Sequence, residues 1–328
     1  MSGKFNNRTL LIVFLGLAGI LVLTRVFTAK KAERTLDVDL VEIDTGRISS
    51  IYIYPQAEQG AELVFSRNGT AWIVSNDELS APADKYSIGN TLDELLNLKA
   101  DRLVARSEEK WPEFHVNDSL GTRVLVKEGK KTTLDMIIGR FNYQPPPGGY
   151  SGYGQQYGTG ITYVRNSDED EVYAVEGFLA MSINQGFNSW RDQTICRLSK
   201  DQITRVVFEY PADSGFVAQK LDVKWTINGI LADSTSMAQY LDGLSRKSHG
   251  DFADGFAPLS NPLYQVTYEG MNMDPLLIRV YSQFGDELIL HSTINPESYF
   301  RITRDGLFKD IFKSSAGLIS GSGSIPNE

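Results

Sequence analysis

The sequence holds one cysteine, Cys196, and three histidines, His115, His249 and His291. A single thiol excludes an internal disulfide framework, and one cysteine with three dispersed histidines leaves no conventional zinc cluster. Basic residues are also in the minority, with 32 Lys and Arg against 41 Asp and Glu, a formal net charge of -9 and a pI near 5.0. Nucleic-acid binding needs a concentrated basic face to release counterions, so no nucleic-acid partner is expected. HExxH, GxSxG, Walker A and CxxC are all missing. Ser292 beside His291 could form part of a hydrolase triad only if the fold assembled one, and no motif nominates the pair. The expectation is a protein that is not an enzyme, with no catalytic residue, cofactor or metal.

What the chain does have is a run of sixteen residues without a charge, Thr9 to Thr24, which Val26 to Ala29 extend if Arg25 snorkels to the headgroups. Residues 9–29 then span about 30 Å at ~1.5 Å per residue, the thickness of a hydrocarbon core. No small-x-small cleavage site follows: Phe27 stands two positions before Ala29, and Lys30 and Lys31 come at once. This favours an uncleaved anchor over a cleaved signal peptide. Residues 1–8 form a flank and residues 30–46 a linker. Lys4 and Arg8 precede the anchor while Arg25, Lys30, Lys31 and Arg34 follow it, a count that by itself would leave the large domain in the cytoplasm.

Beyond the linker the chain repeats. ISSIYIYP (48–55) has the same order of apolar and Tyr-Pro positions as ITRVVFEYP (203–211), each a strand stopped where proline removes the next donor. A β segment and a tryptophan follow each, Trp72 and Trp225, both read as core residues. Asn68-Gly69 predicts a tight hairpin in the first copy, whereas the second must turn differently. Asp84 and Asp233 suit the N-caps of two helical patterns, the first read through KYSIGNTLDELLNLKADRLV and the second through STSMAQYLDGLSRKS. Strand, Glu-Gly turn, strand recurs around Gly129 and Gly270. The reading is an α+β protein: an N-terminal transmembrane helix, then two tandem homologous β-rich units, 47–198 and 199–316, each a mostly antiparallel sheet with a covering helix. Residues 317–328 form a Gly/Ser-rich tail read as flexible.

NSWRDQTICRLSKDQITRVVFEYP (188–211), with KWTING and Asp233 downstream, resembles the bacterial family catalogued as domain of unknown function 4340. The resemblance implies a membrane-tethered, periplasmic or otherwise extracytoplasmic protein of the inner membrane, of a kind often found beside ABC-transporter and gliding-motility components. Its implied partners are inner-membrane proteins such as transporter subunits, with the lipid bilayer engaged through residues 9–29. The implied role is that of an accessory or scaffolding protein. The family carries no catalytic residues to transfer.

This chain departs from a plain family pattern by an insertion at 142–160, NYQPPPGGYSGYGQQYGTG. Its Gly and Pro density predicts a loop. Tyr143, Tyr150, Tyr153 and Tyr157 make it a candidate contact surface for a partner protein or, alternatively, for glycan or peptidoglycan, since tyrosine offers amphipathic area at small rotamer cost. The acidic run Asp168 to Glu171 lacks the ligand spacing of a calcium loop and reads as a solvated hairpin tip. Arg191 and Asp192 read as structural, each bonded to backbone or to the neighbouring repeat, and Cys196 as a small buried residue.

Overall fold

The structure, a computed structural model, describes residues 40–41, 43–145, 158–283 and 287–320. The expected anchor at 9–29, Tyr150, Tyr153, Tyr157 and residues 321–328 of the tail lie outside them. Among the described residues no helix is long and apolar enough to cross a membrane.

Strands β1 (Ser50–Tyr54), β2 (Leu63–Asn68), β3 (Ala71–Ser75) and β4 (Ser80–Pro82) precede helix α1 (Lys85–Leu96). Strand β5 (Ala100–Ala105) and the short helix α2 (Trp111–Phe114) lead to β6 (Thr122–Glu128), β7 (Lys131–Gln144), β8 (Thr159–Asn166) and β9 (Val172–Glu176). Helices α3 (Leu179–Ile183) and α4 (Phe187–Trp190) follow, then β10 (Thr194–Cys196), β11 (Ile203–Glu209), β12 (Phe216–Leu221), β13 (Lys224–Ile227) and β14 (Ile230–Leu231). Helix α5 (Ser234–Gly243), β15 (Lys247–Ser248), β16 (Tyr264–Gly270), β17 (Leu276–Ser282), β18 (Leu288–Ser292) and β19 (Asn295–Ile302) come next, and α6 (Leu307–Ile311) and α7 (Ser315–Ser320) end the described chain.

The architecture is mostly antiparallel sheet with a few helices. Contacts divide it into two compact units, one holding the described residues up to Arg67 with Ser87–Gln185, the other Asn68–Tyr86 with the described residues from Gly186 onward. In the first unit the strands run in the order β2-β1-β6-β7-β8-β9-β5; in the second they run β14-β13-β12-β11-β16-β17-β18-β19, and that unit also holds a two-stranded β10–β15 sheet and the β3–β4 hairpin.

Both units bury matching cross-strand rows. In the first, Leu63, Ile53, Val124 and Met136 are successive partners, with Phe65, Ile51, Val126 and Leu134 in the next row. In the second, Phe216, Phe208, Val266 and Ile278 make one row, and Ala218, Val206, Tyr268 and Leu276 the next. All sixteen side chains are buried, as the period-2 alternation of a sheet with one face on a core requires.

These rows place Ile53 at the position of Phe208, and hence Tyr54 at that of Glu209. The two Tyr-Pro pairs that align by eye therefore stand one residue out of register, and a one-residue slip in a strand moves a side chain to the opposite face. Tyr54 is half-buried and donates its hydroxyl to the Glu62 carboxylate. Tyr210 instead packs against the second core and donates to the Lys313 carbonyl at 2.7 Å; burial pushes its pKa well up. The Glu-Gly turns slip likewise, because Val126 matches Tyr268 and so Glu128 matches Gly270.

Two readings of the helical segments need revision. Helix α1 ends at Leu96 and residues 100–105 are strand β5, not helix; at the end of the helix the Asp93 carbonyl accepts both the Asn97 N–H at 3.1 Å and the Asn97 side-chain amide at 2.7 Å. The second helix likewise ends at Gly243. At its start Asp233 caps it as expected, its carboxylate accepting from the Ser236 N–H at 2.7 Å. The second unit turns between β12 and β13 through Asp222 at φ 54°, and its Asn228-Gly229 pair, at φ 47° and 87°, makes the two-residue turn from β13 to β14.

Candidate partner-contact surface

The insertion read as loop from 142 to 160 begins and ends in ladder. Asn142, Tyr143 and Gln144 pair with Ile161, Gly160 and Thr159, so β7 and β8 carry its two ends and residues 146–157 lie outside the described set. Glycine lets the chain close up here. A Cβ on Gly160 would stand 2.8 Å from the Gly177 carbonyl and 2.8 Å from Phe141 Cε2, and one on Gly158 would stand 2.3 Å from the Tyr143 hydroxyl. The tyrosine side chain thus lies against backbone that only glycine leaves clear.

Beside this ladder end, the turn from β9 into α3 presents Phe178. Its ring stacks on Phe141 with centroids 5.3 Å apart and planes at 28°. The Thr162 hydroxyl holds the turn, donating to the Gly177 carbonyl at 3.3 Å and accepting from the Ala180 N–H at 3.4 Å. The Ser182 hydroxyl donates to Glu94 and secures α3. Large apolar groups remain in water along this corner: Tyr143 is 44% exposed, Phe178 49% and Met181 54%. Exposed aromatic side chains offer contact area at small rotamer cost, and the flexible, polarizable thioether of Met181 adapts to an irregular partner surface.

Of the four tyrosines nominated from sequence, Tyr143 alone falls among the described residues, and it is on this corner. Phe141, Phe178 and Met181 were missed. Phe178 and Met181 lie in the apolar stretch EGFLAM and Phe141 ends a strand pattern, and for all three a core assignment is the natural one.

The other candidates resolve into structural roles. Ser292 is buried and donates to the Ile195 carbonyl at 2.6 Å, while His291 bonds the Pro296 carbonyl through Nε2 at 3.1 Å and lies against Tyr299. Adjacent residues on a strand point to opposite faces, so the two do not form a dyad. Cys196 donates its thiol to the Leu244 carbonyl, and burial pushes its pKa up to about 12, so it stays protonated. Arg191 makes a bidentate pair with Asp254 at 2.7 and 2.8 Å and stacks 3.5 Å from the Phe252 ring centroid. The Asp192 carboxylate accepts from the Thr194 N–H. Among the described residues no three His, Cys, Asp or Glu side chains gather to hold a metal.

The acidic tip at 168–170 is exposed, as read, but what ties it down was not foreseen. Arg165 is 2% exposed; its guanidinium donates to the carbonyls of Val116, Asn166, Ser167 and Glu169 and lies 3.7 Å from the centroid of the Trp111 ring, whose Nε1 donates to the Asp170 carbonyl. Burial depresses its pKa, though surrounding carboxylates such as Asp118 oppose that shift.

Compared with known proteins, residues 72–262, more than half of the chain, match a family described as a domain of unknown function (DUF4340). No curated protein and no solved structure matches.

Proposed function

The chain belongs to this domain of unknown function family, and from that premise we propose that it is a membrane-anchored, extracytoplasmic accessory or scaffolding protein of an envelope ABC-transporter system. On this reading residues 9–29 cross the inner membrane and the two units are tandem homologous copies, each sheet covered by its helix. The observation that supports it best is the exposed corner of Tyr143, Phe178 and Met181 at the base of the inserted segment, a built surface with no evident task inside the fold. A tether raises the effective concentration of such a surface at the membrane, and two linked modules can engage one partner with avidity. The link to a transporter comes from the family resemblance.

The test is a photo-activated cross-linker at Tyr143 or Phe178 in whole cells. The expected adduct joins the chain to a transporter subunit, and Phe178→Ala with Met181→Ala reduces it at least fivefold. Adducts confined to lipid or to the chain itself sink the reading.

The same aromatic corner favours a second reading, in which stacked Phe141 and Phe178 with the tyrosines bind glycan or peptidoglycan. Pull-down on purified cell-wall polymer separates the two: retention that is lost when Tyr143, Tyr150, Tyr153 and Tyr157 become Ala selects the glycan.

A further inference from the structure

In the second unit, two sheet edges that occupy matching places in the chain are finished differently. The segment after α4 runs antiparallel along the outer edge of β4: Ala83 bridges Arg191, the Asp84 N–H donates to the Trp190 carbonyl at 2.8 Å, and the Asp192 N–H donates to the Pro82 carbonyl at 2.8 Å. Pro82 has no N–H of its own and so terminates the ladder there, a usual way to blunt an edge. At the corresponding edge, β14, the Asp233 N–H donates to the Leu318 carbonyl at 2.9 Å, repeating the first bond. Among the described residues the second bond has no counterpart, and Leu231 stands where the first edge has its proline.

The register leaves Leu231 open. It pairs with Thr226, and the next bond inward is from the Ala232 N–H to the Trp225 carbonyl. In an antiparallel ladder the alternate residue directs its N–H and C=O outward, and among the described residues nothing meets those of Leu231. Around it, Leu221, Val223, Ile230 and Leu231 are 56%, 85%, 58% and 57% exposed. A groove of 380 Å³ adjoins the edge, with Trp225, Leu231 and Leu241 in its wall, Lys200, Lys220 and Lys224 along it, and Asp201 as its one carboxylate. Lys200 is held by Asp242, whereas Lys220 and Lys224 have no ion pair among the described residues.

We propose that the β14 edge is a docking site for an extended segment of a partner protein that carries apolar and acidic side chains in alternation. Backbone pairing at Leu231 supplies the strand geometry, the groove takes the apolar side chains, and Lys220 and Lys224 select the acidic ones. The chain's own edge at β4 supplies the template: an extended segment seated in the matching place. This inference stands apart from the transporter and glycan readings, which concern the first unit.

The full chain in detergent is titrated into fluorescent hexapeptides, acetyl-Glu-Val-Glu-Val-Glu-Val-amide, its Lys-for-Glu counterpart and a form with the central Val replaced by Pro, and anisotropy is followed. The acidic peptide binds saturably, and the lysine and proline peptides bind at least tenfold more weakly. Lys220→Glu with Lys224→Glu, which touches no core residue, reverses the charge preference. Leu231→Pro, which copies the β4 edge onto β14, weakens the acidic peptide at least tenfold with an unchanged thermal midpoint.

Equal binding of acidic and lysine peptides, or indifference to the lysine substitutions, overturns the proposal. So does lysine-dependent binding to phosphatidylglycerol vesicles with no peptide binding, which would make the surface a lipid contact. A tenfold gain in peptide affinity on truncation after Ser320 would assign the edge to the chain's own last residues and overturn it as well.

Discussion

Strands β8 and β18 hold the same place in their units. Ile138 pairs with Val164 and Val280 with Leu290 on matching rows, so Arg165 and His291 occupy equivalent positions, both at least nine-tenths buried. The surroundings differ entirely. Arg165 is a hub for four carbonyls under an indole ring, and His291 makes one hydrogen bond beside a tyrosine. A strand frame constrains which positions are inside and which rows touch; it does not dictate the chemistry of a buried polar slot, and where Arg165 spreads its donors over four carbonyls, the Nδ1 of His291 has no hydrogen-bond partner among the described residues. The apolar rows can therefore match while the polar contents diverge.

Removing the hub breaks the comparison most severely. Arg165→Met leaves the Val116 carbonyl and the tip carbonyls without their donor, and stability falls by about 2 to 3 kcal/mol, the range for hydrogen bonds to a buried charge less the desolvation that its loss relieves. Urea denaturation followed by circular dichroism measures this, and an unchanged midpoint would deny the hub its role.

The two cores differ at the matched pair Val126 and Tyr268. Tyr240 donates to the Ile311 carbonyl at 3.0 Å and accepts the Tyr268 hydroxyl at 2.7 Å, both buried, a polar link that Val126 does not provide in the first unit. Tyr240→Phe orphans the carbonyl and costs about 1 to 2 kcal/mol, read as a lower unfolding midpoint that a second substitution, Tyr268→Phe, does not lower by a further full increment.

His291 gives the second unit a pH response that Arg165 cannot. Burial holds its pKa below the ordinary histidine value, assisted by Arg279 and opposed by the Pro296 carbonyl. The folded state thus binds its proton less readily than the unfolded chain, so stability is lost as pH falls below the unfolded value of about 6.5. His291→Gln should flatten the dependence of the denaturation midpoint between pH 7.5 and pH 5.5; an unaltered slope would assign it to other groups.

The smallest effect is at the α5 cap. Asp233→Ala removes the acceptor of the Ser236 N–H and lowers the midpoint at neutral pH. Its pKa is depressed by that backbone bond, so the wild-type advantage exists above the usual carboxylate range and disappears as pH falls through the folded value. Denaturation at pH 7 and pH 2.5 checks both ends.

Much of this frame is readable in the sequence because turns and caps are local. Gly129 does turn at φ 60°, and Asp233 does cap α5. The register was not readable. Tyr-Pro recurs at 54–55 and 210–211, yet Ile53 matches Phe208, since alternation identifies a face and leaves the partner strand unnamed. Strand β5 hid behind a helical continuation because Leu103 and Val104 satisfy either period. At the candidate surface, Tyr143 could be nominated from composition, but Phe178 and Met181 read as core because exposure is a tertiary property. Arg165 was invisible as a buried group for the same reason.

The central claim, a tethered binding protein working outside the inner membrane, is tested most directly by protease accessibility of the large domain. Cells with a permeabilised outer layer are compared with fully lysed cells, using antibody to the second unit. Digestion in both is the predicted result. Protection until lysis would put the domain in the cytoplasm, agree with the excess of Arg25, Lys30, Lys31 and Arg34 over Lys4 and Arg8, and contradict the account.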